Sequence, residues 1–183
     1  ELYKTYDEVL VEEFFGDRPD IREFTVAMIG NQGHRLLMPA EITLLAKKEH
    51  RLVTTDDKDM HRTKAVPVTD AKLHSALVAS ARKAFNAAEM MDYSRCDILM
   101  TGGQFYDIEI NGLQMIPDKW FEVCSATAGL DSEQYPAAII MAGIVRNIRS
   151  GRVPFMLTDE MMRALPRKVW RTLCEDCTSF APN

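Results

Sequence analysis

Two short β-rich runs carry the residues whose types and spacing best suit chemistry. Tyr93-Ser-Arg95-Cys-Asp97-Ile-Leu-Met-Thr101 and Gln104-Phe-Tyr-Asp-Ile-Glu109-Ile-Asn111 flank Gly102-Gly103, a dipeptide suited to a tight hairpin turn. Side chains alternate between the faces of a strand, so Arg95 and Asp97 share one face of the first run, and Glu109 and Asn111 share one face of the second. Two carboxylates and an amide therefore converge beside a guanidinium. A hard dication such as Mg²⁺ takes a near-octahedral shell of oxygens, commonly from one or two carboxylates plus substrate phosphates. Asp97, Glu109 and Asn111 match such a partial shell, which reads as a magnesium-nucleotide site. The same spacing also fits a solvated hairpin face whose carboxylates pair with Arg95, a common and weakly stabilising arrangement.

Two blocks upstream bear on that choice: Val9-Leu-Val-Glu12-Glu13-Phe14-Phe15 and Arg22-Glu23-Phe24-Thr25-Val26. With the hairpin, they occur in an order that resembles the D-alanyl-D-alanine ligases of the ATP-grasp superfamily, over roughly residues 8 to 150. The resemblance implies an α+β fold, the ATP-grasp C-terminal lobe, with a mainly antiparallel sheet and packed helices. It implies a nucleotide- and magnesium-binding domain over residues 1–150, and a helical tail over 151–183 packed on the same domain. It implies an adenine hinge at Glu12, Glu13 and Phe15, a ribose contact at Glu23, and a lysine, Lys58, presented to the terminal phosphate. Asp97, Glu109 and Asn111 would hold Mg²⁺ or Mn²⁺, and Arg95 would act catalytically on the transferring phosphoryl group. The implied activity is ATP-dependent ligation of a carboxylate to an amine through an acyl phosphate, with small amino-acid or carboxylate substrates.

The resemblance has limits in the residues themselves. Family members follow the Glu-x-Asn pair with a Pro-Gly-Met turn and a serine that receives a carboxylate. Here the chain reads Asn111-Gly-Leu-Gln-Met-Ile-Pro-Asp118-Lys119-Trp120, which puts a D-alanine acceptor in question. Lys119 could meet a carboxylate, or face water from the first turn of a helix. The phosphate-binding lysine and glycine-rich loop of such ligases lie upstream of the hinge, and no nucleotide-binding glycine motif of the P-loop or Rossmann type occurs here. With its first residue Glu1 rather than methionine, the chain reads as a fragment or a processed chain that lacks an N-terminal lobe. A homodimer would suit the family. The alternative is a noncatalytic, degenerate ATP-grasp module that serves nucleotide sensing or protein interaction.

Composition narrows the field. At 183 residues and 46% hydrophobic, the chain can bury a sizeable core as one domain. A net charge of −5 and the lack of a basic stripe argue against a nucleic-acid partner. The apolar stretch from Ala137 to Val145 is too short to span a bilayer, and the acidic start has no signal-peptide pattern, so the chain reads as cytoplasmic with no membrane partner. Cys96 and Cys124 read as buried, and Cys174-Glu-Asp-Cys177, with no second pair or nearby histidine, as two helix residues.

The elements that must position the site follow from pattern. Strands are expected at Glu8–Phe15, at Glu23–Gly30, and at Leu36–Leu45 with a break at Pro39, joined as an antiparallel meander. Lys47–Thr69 is charged and reads as a long loop. Asp70 should cap a helix that carries Leu73, Leu77, Ala81 and Phe85 on one stripe. Asp118 precedes a short helix over Lys119–Thr127, Glu133–Arg149 forms a longer one, and helices interrupted at Pro166 make up the tail.

Overall fold

A computed structural model describes residues 5, 7–45, 51–54, 56–57, 61–152 and 158–174. Five strands form one antiparallel sheet: β1 (Arg22–Asn31), β2 (His34–Leu44), β3 (Thr63–Pro67), β4 (Tyr93–Thr101) and β5 (Gln104–Asn111), in the order β3-β2-β1-β4-β5. The helices whose bounds lie among the described residues are α1 (Ala71–Ala87), α2 (Lys119–Ala126), α3 (Gln134–Arg149), α4 (Asp159–Arg163) and α5 (Arg167–Leu173). None of the described helices is long and apolar enough to cross a membrane.

Helix ends form where the sequence offers caps. The Asp70 carboxylate accepts from the Leu73 N–H at 2.6 Å and starts α1, and Asp118 does the same for Phe121 at 2.7 Å and starts α2. At α3 the capping acceptor is Asp131, bonded to the N–H groups of Glu133 and Gln134 at 2.9 and 2.8 Å. Gly102 and Gly103 adopt φ of +59° and +74°, the left-handed pair that a two-residue hairpin requires, and β4 turns directly into β5.

The sheet carries two cores, set by the alternation of β1 and β4. Phe24, Val26, Met28, Cys96 and Ile98 point to one face and meet Leu77, Ala81 and Phe85 of α1. Ala27, Ile29, Met38 and Ala40 point to the other, where α2, α3 and α5 cover them with Phe121, Tyr135, Ala142, Val169 and Leu173. The tail helices thus contribute buried side chains to the same sheet.

Several expectations need correction. Glu8–Phe15 is not a strand: the sheet ends at β3 and β5, this segment has no ladder partner among the described residues, and Leu10 and Val11 are exposed. The charged segment expected as loop contains β3, which pairs along Ala40–Leu44 as a short edge strand. Pro39 does not break β2, and it pairs with Val26 of β1. Its carbonyl accepts from Val68 at 3.4 Å, on the side where β3 is ending, so its missing N–H is lost from the edge and not from the β1 ladder. Cys174 is not helical: α5 ends at Leu173, and Cys174, with φ −139° and ψ 55°, is disulfide-bonded. Cys177 lies outside the described residues.

One irregularity shapes β5. Asp97 pairs with Glu109, but Ile98 pairs with Asp107, so Ile108 is an extra residue bulged out of the ladder. Asp107 turns to the α1 face, where its oxygens lie 3.2 Å from the Ser80 hydroxyl, and Tyr106 turns to the opposite face.

Candidate functional site

The candidate residues form a row across three strands. Thr25 of β1 pairs with Asp97 of β4, which pairs with Glu109 of β5, and one step along, Ala27 pairs with Arg95 and Arg95 with Asn111. All lie on the face opposite α1, at the point where cover by α2 begins.

Arg95 and Asp97 are locked to each other. The Arg95 Nε and Nη2 groups donate to Asp97 Oδ1 and Oδ2, both at 2.9 Å, and the Thr25 hydroxyl donates to Asp97 Oδ1 at 2.7 Å. Arg95 Nη1 lies 3.5 Å from Asp118 Oδ1, and its guanidinium carbon lies 5.1 Å from the centre of the Trp120 ring. Such a two-pronged charge-assisted contact fixes orientation as well as charge. Burial alone would lower the Arg95 pKa; the hydrogen bond and charge of Asp97, with the charges of Asp118 and Glu109, outweigh it and hold the pKa above its ordinary value. Beneath them, Cys124 is buried with Sγ 4.0 Å from the Thr25 carbonyl oxygen, and burial pushes its thiol up to about 12, so it offers no thiolate.

The β5 half differs. Glu109 is exposed, and Asn111 is half-buried. Asn111 accepts from the Ser94 hydroxyl through its backbone oxygen at 3.0 Å, yet its side-chain Nδ2 is buried with no hydrogen-bond partner. A carboxamide turned by half a rotation about its last bond presents oxygen where nitrogen stood, so Asn111 has unspent capacity facing the row. Among the described residues, no three His, Cys, Asp or Glu side chains gather into a full metal cage. An exposed carboxylate, an unpartnered amide and the outer lone pair of Asp97 Oδ2 fit the few oxygen ligands that Mg²⁺ takes from protein when phosphates and water complete its shell.

The remaining sequence-derived candidates are scattered. Glu23 lies on the same face as Asp97, two residues before Thr25, and its Oε2 accepts from the Val53 N–H at 3.1 Å. Phe15 reaches the sheet through Tyr106, with ring centres 4.7 Å apart, and the Arg18 guanidinium sits 4.4 Å above the Phe15 ring. Glu12 and Glu13 are exposed, with Glu13 paired to Arg18 at 2.6 Å. Lys58 lies outside the described residues. Pattern reading missed Thr25, Asp118, Trp120 and Tyr106. A threonine in the apolar β1 run was a usable signal for the first. Asp118 and Trp120 depend on where the connection 112–117 lands, and Tyr106 on the bulge.

Comparison with known proteins gives the class. The model of the D-ala D-ala ligase C-terminus matches residues 1–140, and the chain belongs to that family. No curated protein sequence matches it. Among solved structures, the D-alanine–D-alanine ligase of Bacillus anthracis is similar with a TM-score of 0.54 at 19% identity, over 71% of this chain and 42% of that one. The same ligase complexed with ATP gives 0.53 at 19%, over 71% and 40%. D-alanyl-alanine synthetase A of Vibrio cholerae gives 0.49 at 20%, over 65% and 38%. The five-stranded antiparallel sheet with packed helices is thus the ATP-grasp C-terminal lobe of such ligases, and the chain spans about two fifths of the length of the Bacillus anthracis enzyme.

Proposed function

We propose that this chain supplies the nucleotide and magnesium half of an ATP-dependent carboxylate–amine ligase. The observation that carries the proposal is the row Asp97–Glu109 and Arg95–Asn111 on one sheet face, in a chain of the ligase C-terminal family. In the proposed reaction, a substrate carboxylate oxygen attacks the γ-phosphorus of ATP, the bond to the β-phosphate oxygen breaks, and ADP leaves. An amine nitrogen then attacks the resulting acyl phosphate, phosphate departs, and the amine proton passes to solvent, which leaves an amide.

The chain's residues have distinct roles in that scheme. Asp97, Glu109 and Asn111 hold the metal, with Mg²⁺ or Mn²⁺ as the fitting ions. When bound, the ion offsets negative charge on the phosphates. Arg95, held rigid by Asp97 and Asp118, aims fixed positive charge at the oxygens where charge builds. Phe15 offers an aromatic face to adenine, Glu12 and Glu13 belong to the segment that lines it, Glu23 accepts from ribose hydroxyls, and Lys58 reaches the terminal phosphate. An upstream lobe completes the phosphate cradle, the assembled enzyme is a homodimer, and the cytoplasm is its compartment.

Calorimetric titration with ADP or a nonhydrolysable ATP analogue, with and without Mg²⁺, tests this reading. Binding that needs magnesium and is lost in Glu109→Gln with Asn111→Ala supports it. Magnesium-independent binding, or none in both this chain and a longer one, would sink it. The closure of Arg95 onto Asp97 favours one competitor, a noncatalytic module, which that second outcome would leave standing.

A further inference from the structure

The outer edge of β2 is filled over only part of its length. β3 pairs with it from Ala40 to Leu44, and past the end of β3 the Val68 N–H adds one more bond, to the Pro39 carbonyl. Toward the β1–β2 hairpin the edge is open. Asn31 and His34 pair across the two-residue turn Gln32-Gly33 and exchange their backbone bonds. The alternation of an antiparallel ladder then turns the N–H and C=O groups of Arg35 and Leu37 away from β1, in the same outward phase as Pro39. Among the described residues nothing bonds to those outward groups of Arg35 and Leu37. Two donors and two acceptors stand in one row, in line with β3, where a further antiparallel strand would fit.

The side chains beside this row favour one kind of strand. Arg35 lies on the α1 face, where its Nη1 donates to Asn86 Oδ1 and its Nη2 to the Met90 carbonyl, both at 2.6 Å. Its Nε is buried without a partner. Among the described residues no carboxylate stands within ion-pair distance of Arg35 or of Arg82, the nearby cation on α1. Burial and the charge of Arg82 lower the Arg35 pKa, so the guanidinium sits in a field that disfavours its charge and that a carboxylate would correct. Two positions along the same face, Leu37 packs at the margin of the α1 core. A second copy of this chain suits the edge poorly: pairing two β2 edges would bring both copies' Arg35 and Arg82 to one face of the joint sheet, cation against cation.

We propose that the open β2 edge at Arg35–Leu37 docks an extended acidic segment of another protein, which adds a strand antiparallel to β2 with a carboxylate opposite Arg35 and an apolar side chain opposite Leu37. Strand addition takes its affinity from main-chain bonds and its specificity from the side chains on one face. The required pattern is an apolar residue followed two positions later by Asp or Glu. The docking edge shares no residue with the candidate nucleotide site.

Amide hydrogen exchange of Arg35 and Leu37, followed by NMR on ¹⁵N-labelled chain, tests this with the peptide acetyl-Thr-Val-Thr-Glu-Thr-amide. Both amides should exchange readily in the free chain and become protected roughly ten-fold or more at saturating peptide. Replacing the peptide's Glu by Gln should weaken binding about ten-fold, and Arg82→Gln in the protein should weaken it less. N-methylation of the peptide's Glu removes the N–H aimed at the Arg35 carbonyl and should abolish protection, whereas N-methylation of the threonine between Val and Glu, which points away from β2, should not. Amides of Arg35 and Leu37 already protected in the free chain would mean that the chain covers its own edge, and protection that grows with protein concentration would mean a second copy. Either result would overturn the proposal. So would a peptide that protects neither amide, unchanged binding of the Gln peptide or to Arg82→Gln, or tolerance of N-methylation at Glu.

Discussion

The two faces of β4 are equally dry and built on opposite principles. Toward α1, Cys96 and Ile98 join an apolar cluster with Phe24, Val26 and Phe85. Toward α2, Arg95 and Asp97 are 5% and 4% exposed, with Thr25 fully buried beside them. The first face stabilises by removing apolar area from water. The second takes two charges out of water and recovers the cost through matched hydrogen bonds, which gains little over apolar residues of similar volume. Burial alone does not separate core from site in this sheet. Its central strands could have been apolar on both faces, and the face that is not is the one that carries the candidate chemistry.

The contrast can be broken from either side. Asp97→Ala should cost about 3–5 kcal/mol in urea unfolding, because Arg95 remains buried with its main partner gone. Phe85→Ala, on the other face, should cost a similar amount of about 3–5 kcal/mol by leaving a cavity under β4. The double replacement Arg95→Met with Asp97→Leu should separate the faces: unfolding free energy within about 1 kcal/mol of the parent or above it, with magnesium-dependent nucleotide binding abolished.

Smaller effects sharpen the picture. Asp70→Ala removes the cap of the helix that covers the apolar face and should cost about 1 kcal/mol, seen as a lower urea midpoint, without a change in nucleotide titration. At the far end of β4, exposed Asp20 accepts from the Gly102 N–H at 2.6 Å and the Thr101 hydroxyl at 2.8 Å, which hold its pKa below the usual 3.8. Its stabilisation is therefore present above the unfolded pKa and disappears as pH falls through the lower folded value. Asp20→Asn should lose less stability than the parent between neutral pH and the acid range, as read by thermal melts across pH.

Sequence reading found what depends on local chemistry. The glycine pair, the Asp70 and Asp118 caps and the α1 stripe are each specified by residues within a few positions, and each formed where expected. It failed where the answer lay in a neighbour. Glu8–Phe15 has strand composition but no ladder partner among the described residues, and Thr63–Pro67 has weak composition but an open β2 edge to join. The site was legible in part for the same reason. Period-two alternation brings Arg95, Asp97, Glu109 and Asn111 to one face, and it is silent on Asp118, which arrives only because a connection returns to Arg95.

The single residue Ile108 works as a change of phase in β5. On its C-terminal side the strand is in step with the ion-pair face, so Glu109 and Asn111 stand beside Asp97 and Arg95; on its N-terminal side the parity is reversed, and Tyr106 instead of Asp107 stands on that face, against Phe15. Deleting Ile108 would leave the composition of the hairpin almost untouched and restore uniform parity. Held in register at its Asn111 end, the shortened strand would keep Asp107 toward α1 and Tyr106 beside Phe15; it is a strand that took Ile108 into the ladder that would carry Asp107 onto the face already crowded with carboxylates and withdraw Tyr106 from Phe15. The bulge, and not the number of residues in the hairpin, thus decides which side chain stands on each face, so moving the bulge along β5 would re-sort the hairpin where a clean loss of Ile108 would not.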